Sequence, residues 1–209
     1  HASEGKPLAT PWQVALIRSQ LLSHAALPEG LVLDCACGSG IQLAAHASVL
    51  QRGAIGVELD ASRARASAYN LRTIAEQRNE MDAPRMESSR VMIGDGRDGA
   101  GVLKAFQEAM GHGQPPKIAL LHLDPARPRN SRTHGLDEMA PRLDEVFAGW
   151  LPFLEEGRNG PSLLLDLSPR LTHDQRLAVE ALVDLTWPGL LRTWVWTSRG
   201  RGRVDRLAL

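Results

Sequence analysis

Leu31-Val32-Leu33-Asp34-Cys35-Ala36-Cys37-Gly38-Ser39-Gly40 is the stretch on which the reading of this chain turns. An apolar strand runs into a turn bearing two glycines, and Ile41 to about Gln51 follows with a helical pattern. Such a turn gathers backbone N–H groups at a helix N-terminus, where a carboxylate or phosphate is favoured. Glycine also lets the backbone approach a ligand closely. The dinucleotide fingerprint G-x-G-x-x-G is not met, because Leu43 stands three positions after Gly40. Asp34 at the strand end suits instead a ligand that carries an ammonium group.

Outward from this stretch, three further strands end on an acid. Gly56-Val57-Glu58 closes the run Ala54 to Glu58, where an acid can accept two hydrogen bonds from ribose hydroxyls. Ile93-Gly94-Asp95-Gly96 closes Arg90 to Ile93, and Asp95 can accept from the amine of an adenine. Alone, that triplet is an ordinary turn. Leu121-His122-Leu123-Asp124-Pro125-Ala126-Arg127 closes Ile118 to Leu123. Ligands of open α/β sheets collect beyond the carboxyl ends of the strands, beside the switch point, so Asp124 is expected to face the reaction. His122, inside an apolar strand, is expected to be a buried histidine with a hydrogen-bonded partner, not a catalytic base.

Helical patterns alternate with these strands, the order expected of a parallel sheet covered on both faces. Thr10-Pro11-Trp12-Gln13 reads as a capping box with Pro at the first helical position, opening a helix to about Ala26. Asp60 is expected to cap a helix running toward Gln77, and Val102 to Met110 is the next. After a long polar loop from Asp124 to about Met139, Pro141 to Leu151 reads as a helix and Ser162 to Leu167 as the fifth strand. Thr172-His173-Asp174-Gln175 is a second capping box, for a helix to about Leu185. Leu190 to Thr197 and Val204 to Leu209, around Ser198-Arg199-Gly200-Arg201-Gly202, suggest a terminal antiparallel hairpin.

Composition bounds the class. The 209 residues fit one α/β domain spanning 1–209, with 1–27 as an N-terminal segment and helix packed on it. No apolar run approaches the roughly 18 residues that span a bilayer. The polar start His1-Ala2-Ser3-Glu4-Gly5 lacks a signal-peptide pattern, and the missing initiator Met suggests a tag remnant or a piece of a longer protein. Cys35 and Cys37 stand too close for a useful disulfide and are too few for a zinc site, so no metal and a reducing, cytoplasmic setting are expected. A net charge of +0 excludes a uniformly basic nucleic-acid coat. Arg127, Arg129 and Arg132 nonetheless fall in a stretch without an acid, and Arg199, Arg201, Arg203 and Arg206 share theirs only with Asp205. Trp12, Trp150, Trp187, Trp194 and Trp196 sit mostly in helical or strand patterns and are expected in the core.

Four acid-bearing strand ends in order, the first with paired glycines, resemble the class I S-adenosylmethionine (SAM)-dependent methyltransferases over about residues 10–209. Within them, Leu123-Asp124-Pro125-Ala126-Arg127 followed by Leu163-Leu164-Leu165-Asp166-Leu167-Ser168-Pro169 resembles the bacterial THUMP-like methyltransferases, a group with an Asp-Pro-Ala-Arg turn that is assumed to modify RNA. Two positions depart from the pattern: Ala36 stands where the first glycine is usual, and Pro128 where a second Arg is typical.

The resemblance implies an α/β Rossmann-like fold, with a seven-stranded mostly parallel sheet, a C-terminal antiparallel hairpin and helices on both faces. It implies SAM as cofactor: Asp34, Gly38 and Gly40 at the methionine end, Glu58 at the ribose and Asp95 at the adenine. Cys35, Ala36, Leu59, Gly96 and Asp124 complete the cofactor set. Asp124 and Arg127 are the expected catalytic residues, Asp124 positioning or deprotonating the acceptor and Arg127 within stacking reach of a base. RNA is the expected partner, through Arg127, Arg129, Arg132 and His134. A small-molecule methyltransferase and a non-catalytic SAM-binding module stay open, and the glycine spacing disfavours an NAD domain. Methylation of pyrimidine carbon 5 normally needs a thiolate in the acceptor loop, and both cysteines lie elsewhere.

Overall fold

The computed structural model describes residues 9–77, 84–111, 114–126, 135–157, 160–198 and 204–208. Five strands pair in parallel: β1 (Leu31–Asp34), β2 (Ala54–Glu58), β3 (Arg90–Ile93), β4 (Ile118–Leu123) and β5 (Leu163–Leu167). β6 (Val195–Ser198) and β7 (Val204–Ala208) run antiparallel to one another, and β7 is antiparallel to β5. The strand order is β3-β2-β1-β4-β5-β7-β6, so the all-parallel part is five strands wide, not seven. β4 is buried along its whole length, as a central parallel strand covered on both faces must be. Winding reverses between β1 and β4, and it is beside such a switch point, at the carboxyl ends of the strands, that ligands of open α/β sheets bind.

Side-chain alternation along the strands divides the core. Leu33, Ile55, Val57, Leu121, Leu123 and Leu165 face α4 (Gly99–Met110), α5 (Leu143–Trp150) and α6 (His173–Thr186). Val32, Ala54 and Leu120 face α2 (Ile41–Leu50) and α3 (Ala61–Gln77), with α1 (Trp12–Ser23) lying over α2. Asp34, Glu58, His122 and Asp166 have the parity of this second face. α2 is enclosed on all sides between the sheet and α1, which explains its run of small residues Ala44, Ala45 and Ala47. The same enclosure buries its polar residues Gln42, His46 and Ser48.

Two helix starts follow the sequence reading. Thr172 Oγ1 accepts from the Gln175 N–H at 3.3 Å, while Gln175 Oε1 accepts from the Thr172 N–H at 2.9 Å. Asp60 Oδ1 accepts from the Arg63 N–H at 2.8 Å, capping α3. Elsewhere the boundaries move. α1 is capped by Pro11 without a side-chain bond, because Thr10 lies one residue too early to reach the first free amides, and the helix ends at Ser23. α4 starts three residues before the expected Val102, because Asp98 accepts from the Gly101 N–H at 2.9 Å. α5 starts at Leu143, and Leu151–Phe153 tighten into a 3₁₀ turn. β6 starts only at Val195, because the segment before it is tied back to α6 by ion pairing of Arg192 with Asp184 and a bond from the Trp194 indole to Glu180.

Trp150 and Trp187 are buried, and Trp12 and Trp194 pack on the two halves of the core. The side chains of Trp196, Arg199, Arg201, Arg203 and Arg206 lie outside the described residues. Among the described residues no helix is long and apolar enough to cross a membrane, and no group of three or more His, Cys, Asp or Glu side chains is arranged to hold a metal ion.

Candidate functional site

The register of the parallel strands sets the depth of each acid. Glu58 pairs with Ile93, whereas Asp34 pairs with Gly56 and with His122. Glu58 and Asp124 therefore lie two residues, about 6–7 Å, farther along the strand direction than Asp34. Asp95 follows Ile93 by two and reaches the same rim. Leu123 pairs with Leu165, which makes Asp166 level with Asp124. Glu58, Asp95, Asp124 and Asp166 thus occupy one edge of the sheet, and Asp34 sits a step beneath it.

Asp34 is 2% exposed, with both oxygens engaged. Oδ1 accepts from the Ala36 N–H at 3.1 Å, and Oδ2 lies 2.9 Å from His122 Nδ1. His122 Nε2 lies 3.2 Å from Asp166 Oδ2. A carboxylate at each ring nitrogen calls for two N–H donors, hence an imidazolium. Burial pushes the His122 pKa down, but the negative charge of Asp34 and the hydrogen bonds to Asp166 and Asp34 outweigh it and hold the value up at about 10. The expected buried, hydrogen-bonded histidine is there, with two partners.

From Asp166 the polar chain continues into the helices above. Arg18 of α1 pairs with Asp166 Oδ2 and donates to Gln42 Oε1 at 3.0 Å. Gln42 Nε2 lies 3.0 Å from His46 Nε2, and His46 Nδ1 lies 2.8 Å from Ser19 Oγ. The Ser19 hydroxyl donates to the Ala15 carbonyl at 2.8 Å, so it accepts from His46 Nδ1–H, while His46 Nε2 accepts from the Gln42 amide. His46 is therefore neutral. Burial, then the positive charges of His122 and Arg18, push its pKa well below 6.5. Two carboxylates and two cations leave the buried chain balanced.

Around the first turn the two glycines serve different ends. Gly38, at φ +51°, has its Cβ direction facing open space, with only the Ala36 carbonyl as near as 3.9 Å. Gly40, at φ +72°, caps α2, and a Cβ there would collide with the Ser67 hydroxyl of α3. Its requirement is backbone conformation and helix packing. Glu58 Oε2 accepts from the Gly38 N–H at 3.2 Å, and Oε1 from the Asp60 N–H at 3.0 Å. Beside them, Leu59 is 72% exposed and Ile93 59% exposed, an apolar surface left open at the ends of β2 and β3. Cys35 and Cys37 are buried free thiols, and burial followed by the charge of Asp34 pushes both pKa values up, so neither is a thiolate nucleophile.

Asp95 is gripped by Arg97, with Nε 2.9 Å from Oδ1 and Nη2 2.6 Å from Oδ2. These bonds hold its carboxyl below the usual carboxylate range. Arg97 Nη1 also reaches Glu145 of α5 at 2.9 Å. A Cβ at Gly96 would collide with the Cys35 carbonyl, so the third turn rests directly on the first, and the Gly96 carbonyl accepts from the Trp150 indole at 2.7 Å. After half-buried Asp124 and buried Pro125, Ala126 pairs with Ala140 through two N–H···O bonds of 2.9 Å. Arg127, Arg129, Arg132 and His134 lie outside the described residues.

Ile93, Asp166 and Arg18 were not read from the sequence as part of this region. Asp166 carried a signal, an acid in the apolar run Leu163–Leu167 at the parity of His122. Arg18 carried none, because its partner lies 148 residues away.

No family model matches the chain, and no curated protein matches it in sequence. Solved structures do match. A precorrin-6y C5,15-methyltransferase from Geobacter metallireducens aligns at TM-score 0.58 and 9% identity, over 99% of this chain and 90% of that one. The human methyltransferase 10 domain containing protein aligns at 0.58 and 10%, over 96% and 84%. The rRNA methyltransferase aviRa from Streptomyces viridochromogenes aligns at 0.54 and 16%, over 100% and 86%. At these identities the likeness is one of architecture. The chain has the α/β Rossmann-like fold found in methyltransferases.

Proposed function

We propose that this chain, as one domain, is a SAM-dependent methyltransferase and that its acceptor is RNA. The observation that carries the cofactor reading is the open space beside Gly38. A left-handed glycine faces open space there, a carboxylate (Glu58) borders it, and an exposed apolar side chain (Leu59) lies next along the chain. The methionine end of SAM would rest on the turn of Cys35, Ala36, Gly38 and Gly40, with Asp34 shaping that turn from below. Glu58 would take the ribose hydroxyls, exchanging its bond from the Gly38 N–H for them. Leu59 would cover a face of the adenine, with Asp95 and Gly96 at its polar edge.

SAM brings the reactive methyl as a sulfonium, so the protein's task is to hold the acceptor about 3 Å from the methyl carbon, in line with the breaking bond. Asp124, at the end of the central strand, would accept a hydrogen bond from the acceptor N–H or O–H. Arg127 would stack on a base or bind a phosphate, with Arg129 and Arg132 on the backbone. Protonated, buried Cys35 and Cys37 argue against the thiolate route to pyrimidine carbon 5.

S-adenosylhomocysteine should raise the melting temperature and NADH should not. Glu58→Ala should abolish the shift; retention of the full shift refutes the ribose assignment. Tritiated-methyl transfer from SAM to total RNA, beside a metabolite extract, tests the acceptor. Label in metabolites alone overturns RNA, and label in neither, from protein that binds the cofactor, overturns the enzyme reading for a SAM-binding module. Arg127→Ala combined with Arg129→Ala should weaken RNA binding and flatten its salt dependence.

A further inference from the structure

Asp34 presents no free carboxylate oxygen to a ligand. One oxygen holds the Ala36 N–H and the other holds His122. Ala36 is the second residue of the turn that starts at Cys35 and leads to Gly38, so the direction of this carboxylate sets the path of the turn. Local geometry leaves a carboxylate free to rotate about its last bond, and a second partner fixes it. His122 is that partner. It is buried, stands beside Asp34 in strand register, and is braced on its far side by Asp166. The groups facing the ring are Asp34 from β1, Asp166 from β5 and, edge-on at 5.1 Å, the neutral ring of His46 from α2; Arg18 of α1 stands behind Asp166. The Asp166 end is the looser one, since its Oδ1 and the Arg18 Nη2 are buried without a hydrogen-bond partner among the described residues.

We propose that His122 is a positioning residue for the cofactor turn: through its 2.9 Å bond to Asp34 it holds the carboxylate that receives the Ala36 N–H, and so presets the backbone on which the methionine end of the cofactor rests. For its affinity readout this inference rests on the proposed cofactor, and it gives Asp34 a role the rim residues do not share. Asp34 acts through the backbone it orders.

Two amide variants separate positioning from mere packing. His122→Asn places an amide donor near the Nδ1 position and keeps the bond to Asp34. His122→Gln reaches the Nε2 position and serves Asp166 instead. The expected result is that His122→Asn binds S-adenosylhomocysteine within about threefold of the wild type and keeps the Ala36 amide protected from hydrogen exchange. His122→Gln should bind at least about tenfold more weakly and lose that protection, at a temperature well below both melting points. Equal Ala36 exchange in the two variants overturns the proposal.

Ala36 exchange needs no ligand. If the wild type fails to bind S-adenosylhomocysteine, the cofactor reading falls while exchange still decides the role of His122. Should neither variant fold, the wild type supplies the test by NMR: the Ala36 amide and the His122 ring carbons should shift with pH on one curve. Separate curves overturn the coupling.

Discussion

The two buried histidines should give this protein a stability maximum near pH 6.5, with the two limbs belonging to different residues. His122 is held up at about 10 between Asp34 and Asp166, whereas His46 is held well below 6.5 by burial and by the positive charges of His122 and Arg18. In the unfolded chain both titrate near 6.5. Below that value the unfolded state protonates His46 and the folded state does not, so stability rises with pH. Above it the unfolded state releases the His122 proton and the folded state keeps it, so stability falls until the folded group titrates at about 10. The falling limb has a slope of about 1.4 kcal/mol per pH unit for one proton. Because both unfolded histidines are half titrated at pH 6.5, the loss from pH 6.5 to 8.5 amounts to about 2 kcal/mol, or roughly 4–8 °C in melting temperature for a domain of this size. This window precedes most of the contribution of Cys35 and Cys37, whose raised thiols add a further loss once unfolded thiols ionise above about 8.5. Urea unfolding at half-unit pH steps, on the wild type and on His122→Asn, is the assay. The variant cannot bind the proton and should lose the falling limb between 6.5 and 8.5. Equal slopes in the two proteins would refute the buried imidazolium.

Other consequences are as direct. Gly40→Ala meets a left-handed φ and the Ser67 hydroxyl, and should cost more than the roughly 1–2 kcal/mol of the backbone conformation alone. Gly38→Ala has space for its methyl group and should cost only about that amount, yet should weaken S-adenosylhomocysteine binding at least tenfold; paired melting and titration experiments read both effects. Arg18→Ala leaves Asp166 without its cation beside a single imidazolium, and about 3–5 kcal/mol of stability should go, measurable by denaturant unfolding. A loss below 1 kcal/mol would mean that the ion pair is not formed. Thr172→Ala removes a capping box and should cost about 1 kcal/mol. Cys35 and Cys37 should resist a disulfide reagent at pH 8 in the folded protein and react in full once it is unfolded, as followed by thiolate absorbance.

Much of the fold was legible because each strand announces itself by apolar continuity. β3 and β4 fall at the residues expected of them, and β1 and β2 differ at most by the turn residue that follows. The capping at Asp60 and Thr172 was legible for a local reason: a short polar side chain and its target amide lie three residues apart. Errors collected where a boundary depends on distant packing. The start of β6 is delayed by ties from Arg192 and Trp194 to α6, and at the start of α4 the local Asp98 cap was masked by the glycines after it, of which Gly99 is required by its contact with Gly149. Neither contact leaves a trace in local periodicity.

The candidate site divides along the same line, and the division bears on how function is read from such strand ends. Strand parity and register alone set Glu58, Asp124 and Asp166 on one edge, since parallel strands in register must deliver equivalent positions to the same level. The pattern of acids could not reveal that Asp34, though first in the same series, is set two residues deeper. That follows from a pairing with Gly56 and His122 that only the assembled sheet defines. Burial, not level alone, decides the outcome: Asp34 below the rim and Asp166 at it are each 2% exposed and must be neutralised by the protein itself, because burying a lone carboxylate costs several kcal/mol. His122 and, through Asp166, Arg18 supply that compensation, which draws a residue of the N-terminal helix into the support of the turn after β1. The N-terminal helix is for this reason part of the electrostatics of the site, and its Arg18 should be felt at a turn to which it makes no direct bond.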